Sequence, residues 1–74
     1  EEQVVEALTA EKIRGLLAHL PPREEEIIRR RFGIGTDSES LEEIGQYFGL
    51  SRERIRQIEA SALHQLKRHA EKLL

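Results

Sequence analysis

Two short apolar segments that meet at Gly49 constrain the fold of this chain more than any other feature. The apolar and small residues around this glycine lie where two short crossing helices would touch, and they are Ile44, Gly45, Phe48, Leu50, Ile55 and Ile58. Because a residue without Cβ suits a tight reversal, Gly49 predicts a turn between two helices, and Gly45 lets those helices approach closely. Residues 41–66 are therefore interpreted as a helix-turn-helix.

The N-terminal segment has the pattern of an amphipathic helix. Its apolar positions within residues 2–20 are Val4, Val5, Leu8, Ile13, Leu16, Leu17 and Leu20. Thr9 is an alternative cap for a shorter helix that begins at Ala10. Pro21 and Pro22 end this element, and Pro22 also suits the first position of a following helix, where a missing N–H costs nothing.

The segment after Pro22 carries charges that match a helix dipole. Three glutamates, Glu24 to Glu26, occupy its first turn, and three arginines, Arg29 to Arg31, occupy its last. The favoured interpretation of these charges is a solvated, well-terminated helix rather than a binding site. Its apolar residues, Ile27, Ile28 and Phe32, are expected in the core.

The remaining elements follow from turn and capping signals. Residues 33–40 contain two glycines and several small polar residues, which predicts a loop. Ser40 and Glu43 have capping-box spacing, so a helix is expected from Leu41 to Phe48, and Ser51 opens a last helix from Arg52 to about Lys72. The predicted fold is all-α: one small four-helix domain over residues 1–74, with N-terminal helices in 1–32, the loop in 33–40, and the helix-turn-helix and C-terminal helix in 41–74.

Composition excludes several classes of protein. None of the 74 residues is a cysteine, which removes disulfides and thiolate metal sites and fits a cytoplasmic location. No apolar run is long enough to span a bilayer or to form a signal peptide. An enzyme is not expected, because no glycine-rich phosphate loop and no paired acid and base are present, and no cofactor or metal is predicted. Since the chain begins at Glu1 without a methionine, we expect a domain of a longer protein.

The net charge of −2 hides a strong asymmetry along the chain. Residues 1–50 hold six basic and eleven acidic side chains, a balance of −5, whereas residues 51–74 hold six basic and three acidic side chains, a balance of +3. Screening limits electrostatic interactions to about 8 Å at physiological salt, so the local balance matters more than the sum. The C-terminal third is therefore the predicted nucleic-acid face.

The last helix has two chemically different faces. At about 100° per residue, Ile55, Ile58, Ala62 and Leu66 fall on one side and are predicted to face inward. An outward stripe in the first two turns consists of Arg52, Glu53, Arg56 and Gln57. Arginine pairs with guanine, glutamate with cytosine and glutamine with adenine, so these side chains suit base reading in the major groove. The alternative is an exposed face held by intrahelical salt bridges, such as Glu53 with Arg56.

Other residues near the two helix starts suit contacts to the DNA backbone. Ser40 and Ser51 lie at helix N-termini, whose free amides favour phosphate oxygens, and Arg54 lies on the flank of the stripe. Lys67, Arg68 and Lys72 lie further along the last helix. For these three side chains, backbone contact and simple solvation are equally good interpretations.

Two stretches, LPPREEEIIRRRFGI and SLEEIGQYFGLSRERIRQIEASALHQLKRH, closely resemble the C-terminal region 4 of bacterial RNA polymerase sigma factors of the primary type. The resemblance covers residues 20–69, and FGLSRERIRQIEASAL is its most specific part. It implies a domain that docks on the −35 promoter element, with TTGACA as the preferred sequence, while tethered to the polymerase core.

The resemblance also implies residue roles. Arg52, Glu53, Arg56 and Gln57 would read bases, whereas Arg54, Ser51 and residues near Leu41 and Glu42 would orient the duplex through its backbone. Ser40 and Lys67 join this predicted backbone set on a separate ground, their positions at a helix start and along the last helix. An apolar concavity of the first two helices would hold the flap tip of the polymerase β subunit, with candidate lining residues Leu16, Leu20, Ile28, Phe32 and Ile34. This chain differs from the family in two respects. Ser61 and His64 occupy positions where many family members carry basic residues, and the N-terminal helix is unusually acidic.

Two other functions remain as alternatives. One is the output domain of a response regulator, because the stretch LPPREEEII resembles the start of such domains. The stretch RERIRQIE argues against this alternative. The other is a protein-interaction module for polymerase, an anti-sigma factor or an activator, which the acidic first half favours. In isolation the domain is expected to be a monomer that binds DNA weakly and gains effective concentration when tethered.

Overall fold

The structure is a computed structural model that describes residues 10–72. Over these residues the chain forms four α-helices, namely α1 (Ala10–Leu16), α2 (Pro22–Phe32), α3 (Leu41–Phe48) and α4 (Arg52–Lys72). The all-α prediction is confirmed, and α3 and α4 form the helix-turn-helix. The apolar positions Val4, Val5 and Leu8 and the alternative cap Thr9 lie outside the described residues.

The chain leaves α1 through a 3-10 turn, Leu17–His19, because two prolines follow. Steric conflict with a following proline drives a residue into extended conformation. Leu20 (φ −102°, ψ 149°) and Pro21 (φ −57°, ψ 151°) are both extended. Helix α2 then begins at Pro22, as the sequence predicts, and ends at Gly33, whose φ of 67° suits a residue without Cβ.

The joint between α3 and α4 is tight. Gly49 adopts a left-handed conformation (φ 71°), and the Leu50 N–H donates to the Gly45 carbonyl oxygen at 2.8 Å. A Cβ on Gly45 would lie only 2.5 Å from the Leu50 carbonyl oxygen. The predicted close approach at Gly45 is therefore confirmed. The group that lies close to Gly45 of α3 is the backbone of the turn.

Both helices of the pair have side-chain caps at their starts. In α3 the predicted capping box is present: the Glu43 N–H donates to Ser40 Oγ at 3.1 Å, and the Ser40 N–H donates to Glu43 Oε1 at 2.9 Å. Accepting this backbone hydrogen bond lowers the pKa of Glu43. In α4 the Arg54 N–H donates to Ser51 Oγ at 3.0 Å. The two helix starts are thus defined by sequence-local chemistry.

The core consists of two clusters that share α4. One cluster joins α3 to the first half of α4 and to α2, through Ile27, Ile44, Ile55 and Ile58. The other joins α1 and the 3-10 turn to the second half of α4, through Ile13, Leu16, Leu17, Leu20, Ile28, Ile34, Ala62, Leu63 and Leu66. The predicted inward face of α4 is confirmed, and Leu63, which the face prediction omitted, is buried with it.

The structure leaves little open surface at four of the five residues predicted to line an apolar concavity. Leu16, Leu20, Ile28 and Ile34 are at most 6% exposed. The reason is α4, whose second half packs across the first two helices and covers their apolar faces. Phe32 is partly buried against the same cluster.

Arginines at the end of α2 link three segments of the chain. Arg30 bonds Glu26 within α2 and Glu39 before α3, with Nε–Oε2 and Nη1–Oε2 distances both 3.0 Å, and its guanidinium lies 3.8 Å from the centroid of the Tyr47 ring. Arg31 Nε lies 2.9 Å from Glu59 Oε2 of α4. The interpretation of this helix end as merely solvated is therefore wrong for Arg30 and Arg31, because tertiary folding brings acidic partners to them from distant positions.

Candidate nucleic-acid interface

The first two turns of α4 present a polar surface because the opposite side of the same turns is buried. Ile55 and Ile58 are 0% and 7% exposed, which fixes the rotation of the helix about its axis. Arg52, Glu53 and Gln57 are consequently exposed and Arg56 is partly exposed. The structure brings all four predicted base-reading residues onto one surface.

Two of these side chains, Arg56 and Gln57, donate hydrogen bonds to a third, Glu53. Arg56 Nε lies 3.0 Å from Glu53 Oε1, and Arg56 Nη2 lies 2.7 Å from Glu53 Oε2. Gln57 Nε2 lies 3.4 Å from Glu53 Oε2. The intrahelical salt bridge that the sequence suggested as an alternative is thus present in the protein without DNA.

This arrangement stabilises the charged form of Glu53. The hydrogen bond from Arg56 is the largest cause that lowers the pKa of Glu53, and partial desolvation opposes it. The carboxylate is therefore ionised at neutral pH and acts only as an acceptor. An ionised carboxylate beside two arginines gives the stripe both signs of charge, which suits base edges better than a uniformly basic surface would.

The predicted backbone-contact residues lie at two separate places. Ser40, Leu41 and Glu42 lie at the start of α3, whereas Ser51 and Arg54 lie at the start of α4. The hydroxyl oxygens of Ser40 and Ser51 already accept backbone N–H groups as caps. Ser40, Glu42, Ser51 and Arg54 are exposed and Leu41 is partly buried.

Lys67 lies apart from both of these places. It lies eleven residues after Arg56, which corresponds to about 16 Å along the helix axis at 1.5 Å per residue. Its side chain is partly buried. A contact from Lys67 to a bound duplex would therefore fall well away from the bases that the first two turns can reach.

A groove beside the stripe brings in a basic residue that the sequence prediction missed. It runs between the start of α2 and the exposed flank of α4, and its lining residues are Pro21, Arg23, Glu24, Arg54, Gln57, Ile58, Ser61 and Gln65. Gln65 Nε2 lies 3.4 Å from Glu24 Oε1 across it. Arg23 and Arg54 thus border one groove although they are 31 positions apart, a relation that helical periodicity cannot reveal.

Comparisons with known proteins identify the family of this chain. Residues 16–68 match the family model for sigma-70, region 4, which covers more than half of the chain. The chain belongs to the sigma-70 region 4 family. The match includes α2, α3, the turn and most of α4, so the predicted resemblance is confirmed.

Individual relatives of this chain are RNA polymerase sigma factors. The chain is 47% identical over 68 residues to RNA polymerase sigma factor SigA1 of Synechococcus elongatus, covering 90% of this chain and 17% of that protein. It is also 47% identical over 68 residues to RNA polymerase sigma factor SigA of Nostoc sp., with the same coverage. Against the chloroplastic RNA polymerase sigma factor sigF of Arabidopsis thaliana it is 52% identical over 58 residues, 77% of this chain and 11% of that protein. This region 4 chain thus spans at most 17% of each of these relatives.

Two features are absent from residues 10–72, namely a metal-binding cluster and a membrane-spanning helix. Within residues 10–72 there is no group of three or more His, Cys, Asp or Glu side chains that could hold a metal ion. None of the described helices is both long enough and apolar enough to cross a membrane.

Proposed function

We propose that this domain recognises the −35 promoter element in the major groove during transcription initiation. One observation carries the proposal: in a chain of the sigma-70 region 4 family, the exposed first turns of α4 hold Arg52, Glu53, Arg56 and Gln57 on one surface. A helix entering the major groove presents its N-terminal residues to base edges. Such a role belongs in the bacterial cytoplasm with the nucleoid DNA.

Phosphate contacts would surround the base-reading surface. Leu41 and Glu42 at the start of α3 would meet one backbone through their backbone amides, and Ser40 would lie beside them, with its own N–H donating to Glu43. Ser51 and Arg54 would meet the backbone at the start of α4, and Arg23 would add a cation to the same groove. Lys67 would contact phosphate further along the duplex. With a net charge of −2, affinity then depends strongly on salt and on tethering to polymerase.

A binding titration tests this proposal. Fluorescence anisotropy at low salt would compare a TTGACA duplex with a scrambled duplex of the same composition. Arg56→Ala should weaken binding to TTGACA by about 5- to 100-fold and reduce the preference over scrambled DNA. Equal weakening on both duplexes would show that Arg56 contacts only phosphate. Wild-type protein that binds both duplexes equally would refute the base-reading proposal itself.

We further propose that polymerase docks on a groove between α1 and α2 rather than in the buried concavity. The groove is lined by Arg14, Leu17, Ala18, Glu25, Arg29, Ile34 and Gly35, with charged side chains on its rim. Leu16, Leu20, Ile28 and Phe32 would support its floor from the core. The expected occupant is the β-flap tip, and an anti-sigma factor or an activator could compete for the same groove.

A substitution at the groove's exposed Ala18 tests this docking without disturbing the core. Ala18→Arg should abolish the NMR shifts that a β-flap peptide induces near Leu17 and Ile34. Gln46→Arg, an equal change in charge at an exposed position of α3, is the matched control. Peptide shifts that persist in Ala18→Arg, or that never occur near this groove, would contradict the proposal.

A further inference from the structure

The salt bridge between Glu53 and Arg56 engages one particular edge of the guanidinium. Both carboxylate oxygens are used, with Nε at 3.0 Å and Nη2 at 2.7 Å. An arginine offers two edges for bidentate hydrogen bonding, the side edge formed by Nε and Nη2 and the end edge formed by Nη1 and Nη2. Because Glu53 occupies the side edge, the end edge is directed away from the carboxylate.

A guanidinium held in one orientation suits one class of base contact. Guanine accepts two hydrogen bonds at O6 and N7 from a planar pair of donors, which a guanidinium supplies. An arginine without a holder on an exposed helix turn would sample many rotamers and lose that freedom on binding. A carboxylate that already holds the guanidinium reduces this loss before the DNA arrives.

We propose that Glu53 is a positioning residue that sets the guanine preference of the domain by holding Arg56, a role that rests on the proposed base reading. Glu53 also holds Gln57 through the same Oε2 atom, at 3.4 Å. The three side chains then enter the major groove as one preassembled unit. In TTGACA each of the two G·C pairs places a guanine on a different strand, so only one of them is the expected target of Arg56.

Two simpler roles of Glu53 predict different behaviour. If Glu53 only added negative charge near phosphate, its removal would raise affinity equally on every duplex. If Glu53 only accepted a hydrogen bond from cytosine N4, its contribution to discrimination would be independent of Arg56. If Glu53 acts through Arg56, removal of Glu53 should lower base discrimination only while Arg56 is present.

A double-mutant cycle on base discrimination separates these roles. The 74-residue chain would be prepared as wild type, Glu53→Ala, Arg56→Ala and the double variant, with circular dichroism melting to confirm folding. Glu11→Ala, which makes the same change in net charge at an exposed position of α1, is the control. Each protein would be titrated with TTGACA and with two duplexes in which one G·C pair is replaced by A·T. The measured quantity is the Kd ratio between each replaced duplex and TTGACA.

At one G·C pair, Glu53→Ala and Arg56→Ala should each lower the Kd ratio by about tenfold, within the range that one bidentate contact supplies. The double variant should lose no more than Arg56→Ala alone, and Glu11→Ala should keep the wild-type ratio. The inference would be overturned if removing Glu53 lowered the Kd ratio equally in the presence and in the absence of Arg56. A wild-type Kd ratio in Glu53→Ala would also overturn it. Either result leaves the proposed function standing if wild type discriminates, whereas a wild-type ratio of one at both pairs would refute both.

Discussion

The contact between Gly45 and the turn predicts that one methyl group will destabilise the helix-turn-helix. In Gly45→Ala the new Cβ would lie 2.5 Å from the Leu50 carbonyl oxygen and 3.6 Å from Ile55 Cγ1. The 2.5 Å contact is with backbone, so no side-chain rotation relieves it. To restore even a tight separation of 3.0 Å, the turn must move by roughly 0.5 Å, a displacement of the overpacking kind. That movement also strains the 2.8 Å hydrogen bond from the Leu50 N–H to the Gly45 carbonyl oxygen.

The magnitude follows from one stabilising and two destabilising effects. Alanine in a helix interior is favoured over glycine by about 1 kcal/mol, whereas overpacking of this kind costs about 1 to 3 kcal/mol. Loss of optimal geometry in the turn hydrogen bond adds up to about 1 kcal/mol. The net loss then lies between 0 and about 3 kcal/mol, and we expect Gly45→Ala to lower the free energy of unfolding by about 1.5 kcal/mol, the middle of this range. For a domain of this size each 1 kcal/mol lowers Tm by about 4 to 8 °C.

Gly15→Ala is the matched control, since it makes the same chemical change in another helix. A Cβ at Gly15 would have no atom within 4 Å, so only the backbone preference for alanine remains. This variant should gain up to about 1 kcal/mol in the free energy of unfolding and a few degrees in Tm. Thermal and urea unfolding, followed by circular dichroism, measure both changes. The steric argument is refuted if Gly45→Ala is as stable as Gly15→Ala.

Two further predictions concern the supports of the DNA-facing helices. The pKa of Glu43 is lower in the folded protein than the ordinary glutamate value of 4.5. The ionised carboxylate of Glu43 therefore contributes fully to the free energy of unfolding above pH 4.5, and this contribution is lost as the pH falls through the pKa of the folded state. Urea unfolding between roughly pH 7 and pH 3 should therefore show a smaller loss in Glu43→Gln than in wild type, and parallel curves would contradict the assignment. The Arg31–Glu59 pair, with side chains 39% and 15% exposed, should show a coupling free energy of about 0.2 to 1 kcal/mol in an Arg31→Met, Glu59→Gln cycle. Chemical denaturation measures this coupling, and strictly additive losses would mean that the pair does not couple α2 to α4.

Local signals determined most of the secondary structure. Pro22, the Ser40–Glu43 capping box and Gly49 each act within a few residues of their own position, so the boundaries of α2, α3 and α4 could be predicted from the sequence. The two faces of α4 were also predictable, because burial of Ile55 and Ile58 necessarily turns Arg52 and Gln57 outward. This periodicity predicts which residues of α4 face outward, whereas their base-reading role was predicted from side-chain chemistry and from the family resemblance.

Tertiary structure decided the contacts between distant segments. Periodicity shows that Leu16, Leu20 and Ile28 lie on apolar faces, but not whether a partner or the chain itself covers those faces, and it is α4 that covers them. The pairing of Arg31 with Glu59 and the shared groove of Arg23 and Arg54 likewise depend on how helices cross. The sequence by itself therefore determined which helix faces are apolar and which are charged, whereas only the packing of α4 decided what each face meets, because burial depends on the position of every other element.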